Sequence, residues 1–395
     1  MDTPNFNNST NIIEKGISQD YNYLKLQSIN EKKPFSGNNS FGGAKLLSRM
    51  DDNQVLNSEF GINNIMQPFA LGRKEDFSVA NKNTSTDVEY LPSPFIIANT
   101  TEVELHHLKN DCIIPVFSKD NEKTIAHQEF IDVILNAIQS AFPHQSIDIP
   151  EIRVSHQIKG RTPDAIHLNV KDLLENQKTI YYERMAFIIR IPSITDVING
   201  NELSLTVGGV RSYNLENLYN KKSFEKFKIF IGFQNKVCCN LCISTDGFVE
   251  EMRVASTQEL YNKALKTMQN YNAENHLMEM KELTYDFLSD HQFAQLIGRS
   301  RLYQHLPKSE RQAIPILNFN DSHINTMAKD YYEDKNFCRK EDGSINLWNV
   351  YNLFTQANKS SYIDTFLDRN LNAFEFSKGL QKTLNGNENY HWFLS

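Results

Sequence analysis

Residues 181–191 read Tyr-Tyr-Glu-Arg-Met-Ala-Phe-Ile-Ile-Arg-Ile, a run rich in β-branched and aromatic residues that ends at Pro192. A second strand pattern follows at Leu203-Ser204-Leu205-Thr206-Val207, closed by Gly208-Gly209. Residues 227–233 and 237–243 supply two more, and the link Gln234-Asn235-Lys236 is short enough for a hairpin. Upstream, Glu151 to His156 alternates apolar and polar as a half-buried strand does, with Gly160 after it. Residues 150–256 therefore hold most of a sheet.

The flanks read as helix. Phe130, Val133, Ile134, Ala137, Ile138, Ala141 and Phe142 recur at helical spacing, and Pro143 stops the run. A short helix capped by Ser212 is expected through residue 218. After Thr257 the apolar positions Leu260, Ala264, Leu265 and Met268 keep a helical period. Further helices fit 283–305, 322–333, 345–357 and 362–384, with Asp321-Ser322 and Ser344 as caps and Gly386 as the stop. Strands followed by a run of helices give an α+β fold, with a curved and mostly antiparallel sheet, a helical C-terminal half and at least one sheet face covered. The expected organisation is an arm over 1–95, a sheet-containing core over 96–256 and a helical region over 257–395 packed on that core.

The arm differs in composition. Fifteen of the first 100 residues are Asn, and the apolar islands Tyr23-Leu24 and Ala44-Lys45-Leu46-Leu47 are short. Such a segment buries too little apolar surface to offset chain entropy, so we expect a mostly disordered arm that acts as a spacer or orders on a protein partner. Over the whole chain the apolar fraction of 40% suffices for a large core, which excludes full disorder. The start, Met1-Asp2-Thr3-Pro4-Asn5, lacks a basic region followed by an apolar one, and no apolar run of about 18 residues occurs. Five scattered cysteines do not make a disulfide framework. The expectation is a reduced, cytoplasmic protein that does not insert in membranes and needs no cofactor.

The formal net charge of −7 argues against a protein that coats nucleic acid over its whole surface, but the charge is not uniform. Residues 203–236 carry Arg211, Lys221, Lys222, Lys226, Lys228 and Lys236 against Glu216 and Glu225. Tyr213, Tyr219, Phe224, Phe227, Phe230 and Phe233 lie between them. Cations for phosphates and aromatic faces for bases are how single strands are held without sequence preference. The expected phosphate contacts are Arg211, Lys221, Lys222, Lys226, Lys228 and Lys236, with Tyr213 and Tyr219 stacking on bases. The competing reading is an ordinary solvated face, with Phe230 and Phe233 as core.

Other motifs are weaker. Cys238, Cys239 and Cys242 are close in sequence, but a structural zinc site needs a fourth ligand and usually a second close pair. Buried structural cysteines are the simpler reading. Gly208-Gly209-Val210-Arg211-Ser212 matches neither phosphate-loop pattern, so a tight turn is expected. Pro163-Asp164 with Glu183 resembles a metal-dependent nuclease core only faintly, since Met185 stands where a Lys belongs. His106-His107 lacks the spacing of a zinc protease.

The runs 181–192, 202–220 and 227–247, with the ending from Leu347-Trp348-Asn349-Val350 to Asn389-Tyr390-His391-Trp392-Phe393-Leu394-Ser395, resemble a bacterial family, the domain of unknown function 3871, over residues 95–395. A wider similarity is to the domain of unknown function 932 of phages and plasmids. It rests on a Val-Cys-x-Asn step at Val237-Cys238-Cys239-Asn240 and an Asn-x-x-Thr step at Asn352-Leu353-Phe354-Thr355. These resemblances imply a setting on mobile genetic elements and bring no catalytic residue. The expected function is non-catalytic binding or annealing of single-stranded DNA. A protein-interaction factor acting through the arm and a metal-dependent nuclease-like enzyme are the alternatives.

Overall fold

The computed structural model describes residues 94–113, 124–165, 167–213 and 224–395. Six strands pair in chain order, each antiparallel to the next: β1 (Thr101–Val103), β2 (Glu151–Arg161), β3 (Lys178–Ile198), β4 (Asn201–Ser212), β5 (Glu225–Asn235) and β6 (Leu241–Val254). Helices α1 (Leu105–Asn110) and α2 (His127–Ala141) lie in sequence between β1 and β2. After the sheet come α3 (Thr257–Asn270), α4 (Ala273–Glu282), α5 (Asp290–Tyr303), α6 (Lys308–Arg311), α7 (Asp321–Glu333), α8 (Leu347–Asn358), α9 (Ile363–Leu384) and α10 (His391–Leu394). A two-residue pair, β7 (Phe287–Leu288) with β8 (Ile345–Asn346), sits among the helices. The class is α+β.

Both faces of the central strands are buried. Met185, Phe187 and Ile189 of β3, Leu205 and Val207 of β4, and Phe227, Ile229 and Ile231 of β5 share one core with Phe130 and Ile134 of α2 and Leu260 and Ala264 of α3. Side chains alternate along a strand, so the intervening residues point the other way. Ala186, Ile188, Val210 and Phe230 pack on Phe95, Ile96, Ile363, Phe366 and Leu367. The sheet is thus covered by α2 and α3 on one face, and by the start of α9 with residues 95–96 on the other. Each large apolar side chain buried this way contributes about 1.5–3 kcal/mol.

Several local expectations are corrected. Gly208 and Gly209 are not a turn; β4 runs through them to Ser212. A Cβ at Gly208 would lie 2.2 Å from Phe187 O, and one at Gly209 would lie 2.6 Å from the Phe130 ring. The pair is glycine because backbone and rings close in from both faces. β3 passes Pro192 and runs to Ile198, with a register shift between Ile191 and Thr195. It then turns through Asn199 and Gly200, both at positive φ (48° and 77°), the residue pair that suits a two-residue hairpin. The β5–β6 turn spans residues 236–240, so Cys238 and Cys239 lie in a turn and β6 begins only at Leu241. Of the expected helix over 283–305, residues 290–303 are helical as α5; residues 283–289 hold a turn and β7, and α4 lies upstream of that span. The caps are Ser256, Asn320 and Asn346, whose side chains accept from the N–H groups of Glu259, His323 and Asn349. The arm up to residue 93, and all but the first two residues of the short helix expected after Ser212, lie outside the described residues.

The two short steps noted in the sequence meet in the core. Asn240 Nδ2 donates to Asn352 Oδ1 (3.2 Å) and Asn352 O (3.3 Å), while Asn352 Nδ2 donates to Trp348 O (2.9 Å). Thr355 Oγ1 donates to Asn352 O (3.1 Å). Lys359, at the end of α8 and 2% exposed, donates its ammonium to Cys238 O. These contacts tie the β5–β6 turn to α8, so both steps have a structural role.

Three histidines are buried in this scaffold. Burial holds His127 and His276 at about 3 and His323 at about 4, from an ordinary value of 6.5; the Arg211 charge adds to the effect at His127 and Arg369 at His323. In the unfolded chain the same rings take up protons near pH 6.5, so stability present above that pH is lost as pH falls toward the folded values. The loss is about 2 kcal/mol per histidine between about pH 7 and pH 5. The melting temperature should therefore fall through that interval. A flat melting temperature would contradict the burial of these rings.

Candidate nucleic-acid interface

Strand β4 carries alternate residues toward α2, and Arg211 and Tyr213 fall on that side. The Arg211 side chain is 2% exposed, with Nη2 2.9 Å from Glu225 Oε2 on the first residue of β5. Its guanidinium lies 4.2 Å from the Phe227 ring centre and 4.9 Å from that of Tyr213. The Glu225 carboxylate also accepts the Ile125 N–H (3.0 and 3.1 Å). Burial raises the Glu225 carboxyl, and Arg211 opposes that rise. The Tyr213 ring stacks on His127 with centres 4.3 Å apart, and its hydroxyl accepts the His127 N–H (3.1 Å). His127 Nε2 in turn donates to Tyr182 O (2.9 Å). Burial pushes the Tyr213 phenol far above its ordinary range.

The expected contacts are therefore corrected at Arg211 and Tyr213. Arg211 and Tyr213 are interior groups that fasten β4 to β5 and to the start of α2, and they face no solvent. Lys226 pairs with Glu251 of β6 (2.5 Å), and Lys236 pairs with Glu202 of β4 (2.6 Å). Lys228 points to the opposite face, where its ammonium meets Asp368 (2.5 Å) and Asp364 O (2.9 Å) of α9. Asp364 also receives Arg184 Nε (2.6 Å) and the Ser212 hydroxyl. Glu202, Glu251, Asp364 and Asp368 all lie outside residues 203–236, so a charge count over that window could not include them. Tyr219, Lys221 and Lys222 lie outside the described residues.

The other candidate groups are dispersed. Burial pushes the thiol of Cys238 up to about 11 and that of Cys242 up to about 12, and raises that of Cys239, so all three are protonated near neutral pH. Among the described residues, no group of three or more His, Cys, Asp or Glu is placed to hold a metal ion. Asp164 is exposed in the turn Pro163–Ala165, while Glu183 lies on β3 beside Arg184. His106 contacts Glu104 (2.9 Å), and His107 contacts Asp111 (2.8 Å) and the Tyr182 hydroxyl (3.1 Å). No helix among the described residues is long and apolar enough to cross a membrane.

The meander does bring together two connections that are distant in sequence. β2 and β3 end at the pair Arg161–Lys178, and β3 meets the end of β4 at the pair Arg184–Ser212. The β2–β3 and β4–β5 connections thus leave the same end of the sheet. The first includes exposed Lys171 and is flanked by exposed Lys159; Arg161 reaches across it to Leu168 O, and Lys178 pairs with Glu175 (2.6 Å). Phe224, at the root of β5, is 52% exposed.

A family model matches residues 77–394, most of the chain, under the description "Domain of unknown function, B. Theta Gene description". The chain belongs to the DUF3871 family. The match begins 18 residues before the resemblance read from the sequence. No curated protein and no solved structure matches the chain.

For this family member, the Arg211–Glu225 pair yields a direct test. Glu225→Ala leaves a buried guanidinium without its countercharge and should cost about 3–5 kcal/mol in chemical denaturation. A loss below about 1 kcal/mol, the range of exposed pairs, would contradict the burial.

Proposed function

We propose that the protein binds single-stranded DNA, without catalysis, across the sheet end from which the β2–β3 and β4–β5 connections leave. The observation that carries this reading is the strand pairing, which directs both connections to one end. Together with their flanks these stretches hold Lys159, Arg161, Lys171, Lys178, Lys221 and Lys222 against Asp164, Asp172, Glu175 and Glu216. That is a positive balance in a chain of net charge −7. Phosphates engage Lys159, Lys171, Lys221 and Lys222 in this reading, and bases stack on Phe224 and Tyr219. The mobile-element setting that the family resemblance implies accords with a single-strand partner.

The test is fluorescence anisotropy of the full chain with a labelled single-stranded oligonucleotide over a series of salt concentrations. Four phosphate contacts predict a slope of log affinity against log salt of about −3. Lys159→Glu with Lys171→Glu should weaken binding at least about tenfold and flatten the slope by about one unit or more. Absence of binding at low salt, or an unchanged slope in the double variant, would refute the reading.

A further inference from the structure

A second feature lies away from that sheet end. Between Gly232–Ile243 and Phe230–Phe248, the four residues Ser244 to Gly247 of β6 face the single residue Ile231 of β5. This bulge throws Ser244, Thr245 and Asp246 out of the ladder. Its last residue must be glycine, because a Cβ at Gly247 would lie 2.1 Å from Ile231 O and 3.0 Å from the Tyr271 ring. The bulge forms one wall of a cleft of about 440 Å³, within the size range of small-molecule sites. Asn275 and Glu279 of α4 extend that wall, and Glu375, Lys378 and Lys382 of α9 form the opposite one. The rim is the segment with Asn387, Asn389 and Tyr390. It is held close because Gly379 has no side chain where the Tyr390 ring packs; a Cβ there would be 2.2 Å from that ring.

The charges in this cleft are partnered except at Lys382, an exposed side chain near the end of α9, and the lining carries Asp246, Glu279 and Glu375 against Lys378 and Lys382. Lys378 is paired with Glu279. Asp246 accepts the Ser244 hydroxyl (2.5 Å) and the Asn272 N–H (3.1 Å), and Glu375 accepts the Thr245 hydroxyl (3.2 Å). An anionic ligand would meet the excess of carboxylates over lysines, and a cationic one would have to compete with the partners those carboxylates already hold. A ligand of neutral hydroxyl groups would do neither, because a hydroxyl both donates and accepts. The carboxylates keep lone pairs for its O–H groups, while the Asn275, Asn387 and Asn389 amides offer both roles. The half-buried Tyr390 side chain supplies an apolar boundary.

We propose that this cleft is a binding site for a neutral saccharide. The site is independent of the single-strand interface, and neither depends on the other. The test is saturation-transfer NMR and calorimetry on the full chain. The probes are glucose, galactose, mannose and N-acetylglucosamine, with glucose 6-phosphate and glucosamine as charged comparators. At least one neutral sugar should bind with millimolar affinity and more tightly than its charged counterpart. Asn275→Ala and Glu375→Ala, both at exposed positions and checked for an unchanged melting temperature, should each weaken it about tenfold, the equivalent of one hydrogen bond to a polar or charged group. Failure of all four neutral sugars to bind, tighter binding of the charged comparators, or unchanged binding in both variants would overturn the proposal.

Discussion

The constraint on which the structure depends is that β3, β4 and β5 are buried on both faces. Along their buried middle, these strands have no solvent side on which to place an unpaired charge. This explains the near-continuous apolar character of the Tyr181–Ile191 run and the glycine pair in β4. It also explains why Arg211, the one guanidinium on the inner part of β4, needs the Glu225 carboxylate beside it. The pair stands where strands, α2 and the β4–β5 connection converge, and the Phe227 and Tyr213 rings flank its cation. A buried ion pair of this kind adds little net stability, but losing one member is costly. It lies where β4 ends and β5 begins.

The same constraint bears on function. With both faces covered, the central strands offer no open platform on which bases could stack. Contacts with a partner are left to the connections and the strand ends beside them, to the outer strands, to the helices and to clefts between them. The proposed single-strand interface draws on connections at one end. The proposed saccharide cleft draws on a bulge that leaves the ladder at β6 and on the outer side of α9. In both cases the sheet is a scaffold that fixes the spacing of groups outside it.

Much of the fold was legible because strand alternation and helical spacing are local signals. The runs 181–191 and 227–233, the helix ending before Pro143 and the long helix from residue 362 all follow from residues that are near one another in the chain. The family was legible as well, from long specific runs in β3, β4 and β5. What escaped was non-local. Gly208-Gly209 reads as a turn until Phe187 and Phe130 are brought against it. The Asn199-Gly200 hairpin is a local signal, masked because Pro192 reads as the end of β3. The lysines of β5 read as a basic face because Glu251 and Asp368, which neutralise them, come from later in the chain. The cleft left almost no trace in sequence, since its walls come from β6, α4, α9 and the last residues.

The most direct test of this account replaces the buried pair by apolar residues in the double variant Arg211→Met with Glu225→Met, followed by single-strand binding across salt concentrations. If Arg211 is a structural group and the contacts lie in the connections, the variant should unfold cooperatively and bind with the affinity and salt slope of the parent chain. A double variant that folds cooperatively but no longer binds would contradict it, and would return Arg211 to the binding surface.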